Sequence, residues 1–274
     1  MSVIALLVFL VLNSRWNRRL QIKNTQLQRE RNVVVAQNKQ LAIERDHAEA
    51  ASRAKTSFMQ SMTHEIRTPL NAISGFTQVL TMKDIELPDA ERMDFCERIQ
   101  ENTRLLTTIL DDLLLISDFE SSSELPPAEP CVVSAIVDQA ADTIRSIVAK
   151  TVTLDCQCTL PADQTIESHP RLIHIVLSKL LDNAAKFTTV GSITLKVSQE
   201  DAKLHFSVED TGPGIPPDKK EYIFERFAKL DSFAQGTGLG LTVGRMIAER
   251  LGGTLTLDTD YTNGSKFDLI LPIK

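Results

Sequence analysis

The sequence predicts a multidomain fold, in which an all-α helical hairpin that forms a dimeric four-helix bundle is followed by an α+β sandwich. Three observations predict this fold class. Long stretches between residues 20 and 116 carry apolar side chains at helical spacing. A segment rich in serine and proline follows at 121–127, which is typical of a linker. Beyond it, amphipathic helices are mixed with strands that alternate apolar and polar residues, as expected of a sheet with one face covered by helices.

The composition allows one or two hydrophobic cores and disfavours a nucleic-acid partner. Of the 274 residues, 42% are hydrophobic and 24% are charged, and the formal net charge is −6. Nucleic-acid-binding proteins normally carry a concentrated basic face, so we expect no nucleic-acid binding. The four cysteines have neither the spacing of a zinc site nor that of a disulfide framework, and we interpret them as reduced structural thiols.

Residues 1–14 are interpreted as the end of a transmembrane helix. An apolar run covers only about a dozen of the roughly 20 residues that a full span needs. Trp16 and several arginines follow the run, whereas a signal peptide would carry its positive charge before it. This interpretation attaches the chain to the cell inner membrane and leaves everything after Arg19 in the cytoplasm. A short buried helix is the alternative.

Residues 15–52 are predicted to form a juxtamembrane coiled-coil helix. A weak seam of this kind suits a signalling helix that shifts between two packings, and a purely structural spacer fits equally well. The apolar residues of the seam recur at every seventh position and are Leu20, Leu27, Val34, Leu41 and Ala48.

Residues 53–120 are predicted to form the helical hairpin. Its first helix continues through 61–71, bends at Pro69 and ends near Lys83. A loop at 84–88 separates it from a second amphipathic helix that begins at about Asp89. Both helices have apolar faces too wide for a single partner, so we expect a homodimer in which two hairpins form a four-helix bundle.

A histidine, a carboxylate and a hydroxyl lie together on the first helix of the hairpin. His64 and Thr68 are four residues apart and therefore share a face, and Glu65 directly follows the histidine. A neutral imidazole is nucleophilic near pH 7, and the adjacent carboxylate can orient or deprotonate it. This arrangement predicts that His64 accepts a chemical group.

Residues 121–130 are predicted to be a linker, and residues 131–274 are predicted to form the sandwich. Its helices are expected at 133–149, 170–187 and 239–252. Its strands are expected at 151–157, 191–200, 203–210, 254–260 and 265–272.

One helix of the sandwich ends in a candidate metal and phosphate site. Asn183 and Lys186 share a face, where an amide oxygen suits Mg²⁺ and an ammonium group suits phosphate. Residues of these types near a helix end are also commonly just solvated, and that alternative stays open.

Two glycine-containing segments add to this site. Asp210 ends an apolar strand and can accept a hydrogen bond from an exocyclic amine such as that of adenine, although an ordinary turn is the alternative. Gly212 and Gly214 allow a tight turn close to a ligand. Three glycines then open the last helix, where backbone amides and the helix dipole favour phosphate; they are Gly236, Gly238 and Gly240.

In this order and spacing, the segments resemble the sensor histidine kinases of two-component systems, which combine a HisKA dimerisation and phosphoacceptor domain with a HATPase_c catalytic domain. The matching motifs are the H box at 61–71, the N box at 180–188, the G1 box at 210–214, the F box at 223–227 and the G2 box at 236–241.

The resemblance implies a Bergerat-type ATP-binding sandwich and a kinase that autophosphorylates His64 from ATP. It implies transfer of the phosphoryl group to an aspartate of a response regulator receiver domain, with Glu65 activating His64 and Thr68 positioning water for a phosphatase reaction. Asn183 would hold Mg²⁺. The nucleotide-binding residues that the resemblance implies are Asn183, Lys186, Asp210, Gly212, Gly214, Phe227, Gly236, Thr237, Gly238, Leu239 and Gly240.

Lys179 departs from the family pattern, which often has a second asparagine or an acidic residue four positions before the metal-binding asparagine. A lysine there either adds a phosphate contact or points to solvent, and it puts a second protein ligand to Mg²⁺ in doubt. Two other functions compete. An ATPase of the gyrase and chaperone type would need an acidic residue at about this position, and an ATP-binding scaffold would need no turnover.

Overall fold

The structure is a computed structural model that describes residues 3–82, 87–121, 124–230 and 236–273. The chain forms two compact units, residues 1–60 and residues 61–274. The first unit is helical throughout its described part. In the described residues, no helix has an apolar stretch long enough to cross a membrane.

Two long helices form the hairpin. Helix α1 (Val3–Thr81) continues through Pro69, which is buried, and α2 (Asp89–Ser121) runs back along it. Close to the turn the rings of Phe76 and Phe95 stack with centroids 5.4 Å apart, which joins the two helices. The predicted loop lies mostly outside the described residues, at 83–86. A helical hairpin followed by an α/β sheet domain is confirmed.

The sheet domain has five strands in the order β2-β4-β5-β7-β6. Only β2 and β4 are parallel, and the other neighbours are antiparallel. The strands are β2 (Val152–Cys158), β4 (Gly191–Glu200), β5 (Lys203–Asp210), β6 (Thr254–Leu257) and β7 (Lys266–Pro272).

Three helices cover one face of this sheet, as the strand alternation predicts. They are α3 (Val133–Arg145), α4 (Pro170–Phe187) and α5 (Gly240–Arg250). The inward side chains of β4 and β5 are at most 1% exposed and are Ile193, Leu195, Val197, Leu204, Phe206 and Val208.

The sequence missed a second, two-stranded sheet. Strand β1 (Glu129–Val132) pairs antiparallel with β3 (Thr165–Ser168). Each strand has only four residues, which is too few to show an alternation, and β1 begins inside the predicted linker at 121–130 and contains Pro130. Two short 3-10 turns, Pro217–Lys219 and Tyr222–Phe224, were also missed.

Three elements are clearly shorter than predicted, and one of them, α5, spans 240–250 rather than 239–252. Helix α3 ends at Arg145 rather than 149, where Ile147 is 59% exposed and offers no burial to extend the helix. Strand β6 ends at Leu257 rather than 260, because the next residues turn: the Asp258 carboxylate accepts hydrogen bonds from the Asp260 N–H at 2.9 Å and from the Lys266 ammonium at 2.9 Å.

Candidate functional site

A cavity of about 930 Å³ collects most of the predicted binding residues. Its walls come from α4, the end of β5, the loop after it, the segment before α5, and the middle of α2. Of the predicted residues, those that line it are Asn183, Lys186, Asp210, Gly214, Gly236, Thr237, Gly238 and Gly240.

Asp210 is held at the end of β5 by the strand alternation, which turns its side chain inward with only 5% exposure. Its Oδ1 accepts hydrogen bonds from the backbone N–H of Gly212 at 2.8 Å and of Ser265 at 3.2 Å. Burial raises the pKa of this carboxyl, and the two backbone hydrogen bonds and the Ser265 side chain oppose that rise. The carboxylate is therefore oriented and dry, which suits recognition of a hydrogen-bond donor.

The Asp210 pocket depends on a glycine that the sequence reasoning missed. Gly264 has φ of +153°, and a Cβ there would lie 2.0 Å from the Asp210 carbonyl oxygen. Gly214, with φ of +75°, would place a Cβ 3.0 Å from the Gly264 carbonyl oxygen. The turn formed by Asn263 and Gly264 before the last strand was the available signal, and Ser265 beside it lines the cavity.

The last turns of α4 carry the predicted metal and phosphate residues. Asn183 lines the cavity and is partly exposed. The Lys186 ammonium lies 2.6 Å from Asp182 Oδ2, one turn earlier on the same helix. Because both of these side chains are well exposed, the pair is weak enough for the lysine to be drawn to an anion.

The glycine-rich turn before α5 packs tightly against the preceding segment. A Cβ on Gly238 would lie 2.7 Å from the Cα of Phe227, whose N–H donates to the Gly238 carbonyl at 2.8 Å. The Leu239 N–H donates to the Thr237 hydroxyl at 3.1 Å, while the Leu239 side chain is fully buried in the core.

Three predicted binding residues lie outside the described cavity wall: Gly212, Phe227 and Leu239. Gly212 and Phe227 act on the site through backbone contacts with Asp210 and Gly238, and Leu239 anchors the start of α5. Their role as direct ligand contacts stays a prediction.

The histidine motif lies on α1, and its residues are not among the described residues that line the cavity. His64 Nδ1 is 3.3 Å from Glu65 Oε1, and the His64 side chain is 75% exposed. The Thr68 hydroxyl donates to the His64 carbonyl at 3.2 Å. The other Glu65 oxygen, Oε2, accepts a hydrogen bond from the Lys229 ammonium at 2.6 Å.

Lys229 therefore connects the two parts of the site, because it also lines the cavity. No partner for this lysine could be predicted from the sequence. Its partner Glu65 is 164 residues away along the chain, so only the packing of α1 against the sheet domain could show the contact.

Lys179 has an ion-pair partner, whereas the sequence analysis predicted either a phosphate contact or exposure to solvent. Its ammonium lies 2.5 Å from Oδ1 of Asp112, a residue of α2 whose side chain is 1% exposed. Lys179 reaches across the boundary between the hairpin and the sheet domain to this partner on α2. It also lines the cavity.

Two features together define the histidine kinase class of protein. One is a helical hairpin with an exposed histidine beside a carboxylate, and the other is a sheet domain with a cavity lined partly by glycines. Two family models match the chain. The His Kinase A (phospho-acceptor) domain matches residues 54–122, and the histidine kinase-, DNA gyrase B- and HSP90-like ATPase matches residues 168–274.

Curated relatives agree with these models. The aerobic respiration control sensor protein ArcB of Escherichia coli (strain K12) is 33% identical over 233 residues, which cover 82% of this chain and 30% of ArcB. The sensor protein TorS of Escherichia coli (strain K12) is 34% identical over 239 residues, which cover 84% of this chain and 25% of TorS. The chain thus spans less than a third of the length of these relatives.

Solved structures show the same arrangement. Full-length ShkA in complex with AMPPNP is 26% identical with a TM-score of 0.59, over 78% of this chain and 46% of ShkA. The histidine kinase ThkA in complex with the response regulator protein TrrA is 25% identical with a TM-score of 0.63, over 80% of this chain and 61% of that chain. The chain belongs to the sensor histidine kinases of two-component systems.

We predict that Gly264→Ala destabilises the sheet domain by more than about 2 kcal/mol, because the new Cβ collides with the Asp210 backbone. Chemical denaturation followed by circular dichroism measures the loss. Gly252→Ala is the matched control, since Gly252 also has positive φ but a Cβ there meets nothing closer than 3.6 Å. Equal losses in the two variants would show that the contact with Asp210 is unimportant.

Proposed function

We propose that this chain is an ATP-dependent protein-histidine kinase that phosphorylates its own His64 and passes the phosphoryl group to an aspartate in the receiver domain of a response regulator. One observation carries the proposal. Lys229 lines the cavity of the sheet domain and also contacts Glu65, the neighbour of His64, so the cavity and the nucleophile lie at one site.

The cavity suits a nucleoside triphosphate. Its volume of about 930 Å³ is within the usual range of small-molecule sites. Asp210 offers a buried acceptor for the exocyclic amine of adenine. At the other side, the glycine backbone before α5 and the N-terminus of that helix offer amide donors and a favourable dipole for phosphates.

The residues present also fit a magnesium ion. Among the described residues there is no cluster of three or more histidine, cysteine or acidic side chains that could hold a metal. Mg²⁺ in phosphoryl-transfer sites keeps several waters and uses only one or two protein ligands besides the phosphates, so the Asn183 amide oxygen is sufficient as the protein ligand. The ion would neutralise phosphate charge.

The histidine motif supplies the nucleophile. With its Nδ1–H directed to the Glu65 carboxylate, the imidazole keeps a lone pair on Nε2. Nε2 forms the new bond to the γ-phosphorus while the bond from that phosphorus to the β,γ-bridging oxygen breaks, and ADP leaves. Glu65 stabilises or accepts the Nδ1 proton as the ring becomes cationic.

An ATPase of the gyrase and chaperone type is disfavoured by the contact of Lys179. The position where such enzymes need an acidic residue holds a lysine, and its ammonium is already paired with Asp112. An ATP-binding scaffold without turnover is the remaining alternative, and the phosphorylation assay separates it from a kinase.

For His64→Ala we predict complete loss of label incorporation from γ-labelled ATP, because His64 is the only proposed acceptor of the γ-phosphoryl group. On the unaltered protein the label should be acid-labile and base-stable, as expected of a phosphohistidine. His47→Ala, which changes an exposed histidine elsewhere on α1, should incorporate label normally. Label retained by His64→Ala would overturn the assignment, and a protein that binds ATP but never incorporates label would be a scaffold.

We further propose that the chain acts as a phosphatase on its phosphorylated regulator, with Thr68 positioning the attacking water. The Thr68 hydroxyl lies one turn from His64 and bonds to its carbonyl, which leaves the oxygen lone pairs available for a water.

Thr68→Ala is therefore predicted to keep autophosphorylation within about twofold while dephosphorylation of the regulator slows by about tenfold or more. The two rates are measured separately, on the kinase alone and on the phosphorylated regulator. Thr68→Ser, which keeps the hydroxyl, is the control and should retain both activities. Equal loss of the two activities in Thr68→Ala would contradict a selective role.

Removal of the proposed metal ligand should weaken only metal-dependent binding. Asn183→Ala is predicted to lower the affinity for Mg²⁺-ATP by about 10- to 100-fold, the usual cost of losing an interaction with a charged group. Calorimetry with excess EDTA provides the control, because metal-free ATP should bind the variant and the wild type equally. An unchanged affinity in Mg²⁺ would rule out the ligand role.

We propose that the hairpin dimerises into the four-helix bundle. In the single chain, apolar side chains of α2 remain open to solvent: Leu110 is 47% exposed and Leu114, one turn later, is 63% exposed. On α1, Leu70 is 51% exposed. A partner hairpin would bury this face. Light scattering that returned the mass of a monomer at micromolar concentration would contradict the dimer.

We also propose attachment to the cell inner membrane through the apolar N-terminal segment, with the kinase region in the cytoplasm. The positively charged residues that follow the apolar run support this orientation. Cell fractionation that left the protein wholly in the soluble fraction would contradict it.

A further inference from the structure

Asp112 is a buried carboxylate with a single partner in the described part of the chain. Its side chain is 1% exposed, Oδ1 bonds to Lys179, and Oδ2 has no hydrogen-bond partner. Burial raises the pKa of Asp112, and the lysine charge opposes the rise. A carboxylate in this position is costly, and only its ion pair makes the cost tolerable.

The partner of Asp112 belongs to the sheet domain, because Lys179 lies on α4. The next turn of the same helix places Ile116 in the core cluster of that domain, which closes the surroundings of Asp112. If the sheet domain left α2, both Asp112 and Lys179 would become hydrated and neither would need the other.

Lys179 also belongs to the cavity. It lines the wall between α4 and the glycine-rich turn, and its stem is the nearest neighbour of Gly240, since a Cβ built there would lie 3.6 Å from Lys179 Cδ. Gly240 opens α5, where the phosphates of the nucleotide are expected. The Lys179 side chain thus contacts Asp112 with its ammonium and lies beside Gly240 with its stem.

We propose that Lys179 is a phosphate-binding cation that Asp112 holds on α2 until a nucleotide enters, so that nucleotide binding and docking of the sheet domain on α2 compete for one ammonium group. The inference rests on the proposed function, because it needs a nucleoside triphosphate in the cavity. We call the Asp112–Lys179 ion pair the latch.

The competition follows from charge. A triphosphate brings several negative charges to a lysine that is only 21% exposed. When Lys179 turns to the phosphate, Asp112 loses its partner and becomes an unpaired buried charge, which drives it out into water. The nucleotide weakens docking of the sheet domain on α2 by a certain factor. Because thermodynamic linkage is reciprocal, docking weakens nucleotide binding by the same factor.

The test is a double-mutant cycle on the whole chain, with a non-hydrolysable ATP analogue and Mg²⁺ titrated in a calorimeter. Asp112→Asn should tighten the dissociation constant about tenfold, within the roughly 5- to 150-fold range of known couplings. Lys179→Gln should weaken binding only slightly in the wild-type background. In the Asp112→Asn background, Lys179→Gln should remove the whole tenfold gain in affinity.

Asp111→Asn is the matched control. It removes the same charge from the neighbouring, exposed position of α2 and should leave the dissociation constant within about twofold of the wild type. Equal effects of Asp111→Asn and Asp112→Asn, or additive effects in the cycle, would overturn the latch.

A measurement on the unaltered protein keeps the proposal testable if a variant does not fold. Saturation with the analogue should increase the radius of gyration in small-angle X-ray scattering, because the sheet domain leaves α2; an unchanged or smaller radius would overturn the latch. If the wild type does not bind the analogue at all, the proposed function fails and the latch fails with it. If it binds but the cycle is additive, only the latch fails.

Discussion

The burial of one face of α4 is the constraint on which the rest of the site depends. Five of its apolar residues are 0–1% exposed: Ile173, Val176, Leu177, Leu180 and Leu181. Each fully buried leucine or isoleucine contributes about 1.5–3 kcal/mol. This packing leaves the helix no freedom to rotate. Lys179, Asn183 and Lys186, spaced by four and three residues, are therefore presented together to the cavity.

Charge pairs add a second, weaker layer that joins the hairpin to the sheet domain. Glu65 bonds to Lys229, Glu120 lies 2.5 Å from Arg226, and Asp112 bonds to Lys179. Partly exposed pairs of this kind contribute at most about 1 kcal/mol each, and a buried pair roughly balances its desolvation cost. Contacts of this strength would permit the release of the sheet domain that we propose.

Local patterns made much of the sheet domain predictable. Alternation over 191–200 and 203–210 identified two central strands, because one face of each is buried. The same reasoning failed for β1 and β3, which are too short to show a period, and β1 also contains Pro130. It also missed Gly264 and Ser265, since the need for a glycine beside Asp210 arises only when two distant backbone segments meet.

The sequence by itself determined the order of the motifs, the helical hairpin, the strands and the family resemblance, because these depend on neighbouring residues and on periods of two or 3.6. Only the tertiary structure decided the partners of the charged residues. The residues next to Lys179 in the sequence are compatible with a contact to phosphate or to water. Those next to Glu65 are compatible with a contact to His64 alone. Their pairing with Asp112 and Lys229 depends on how the hairpin packs against the sheet domain, and Coulomb attraction between residues remote in the chain leaves no local pattern.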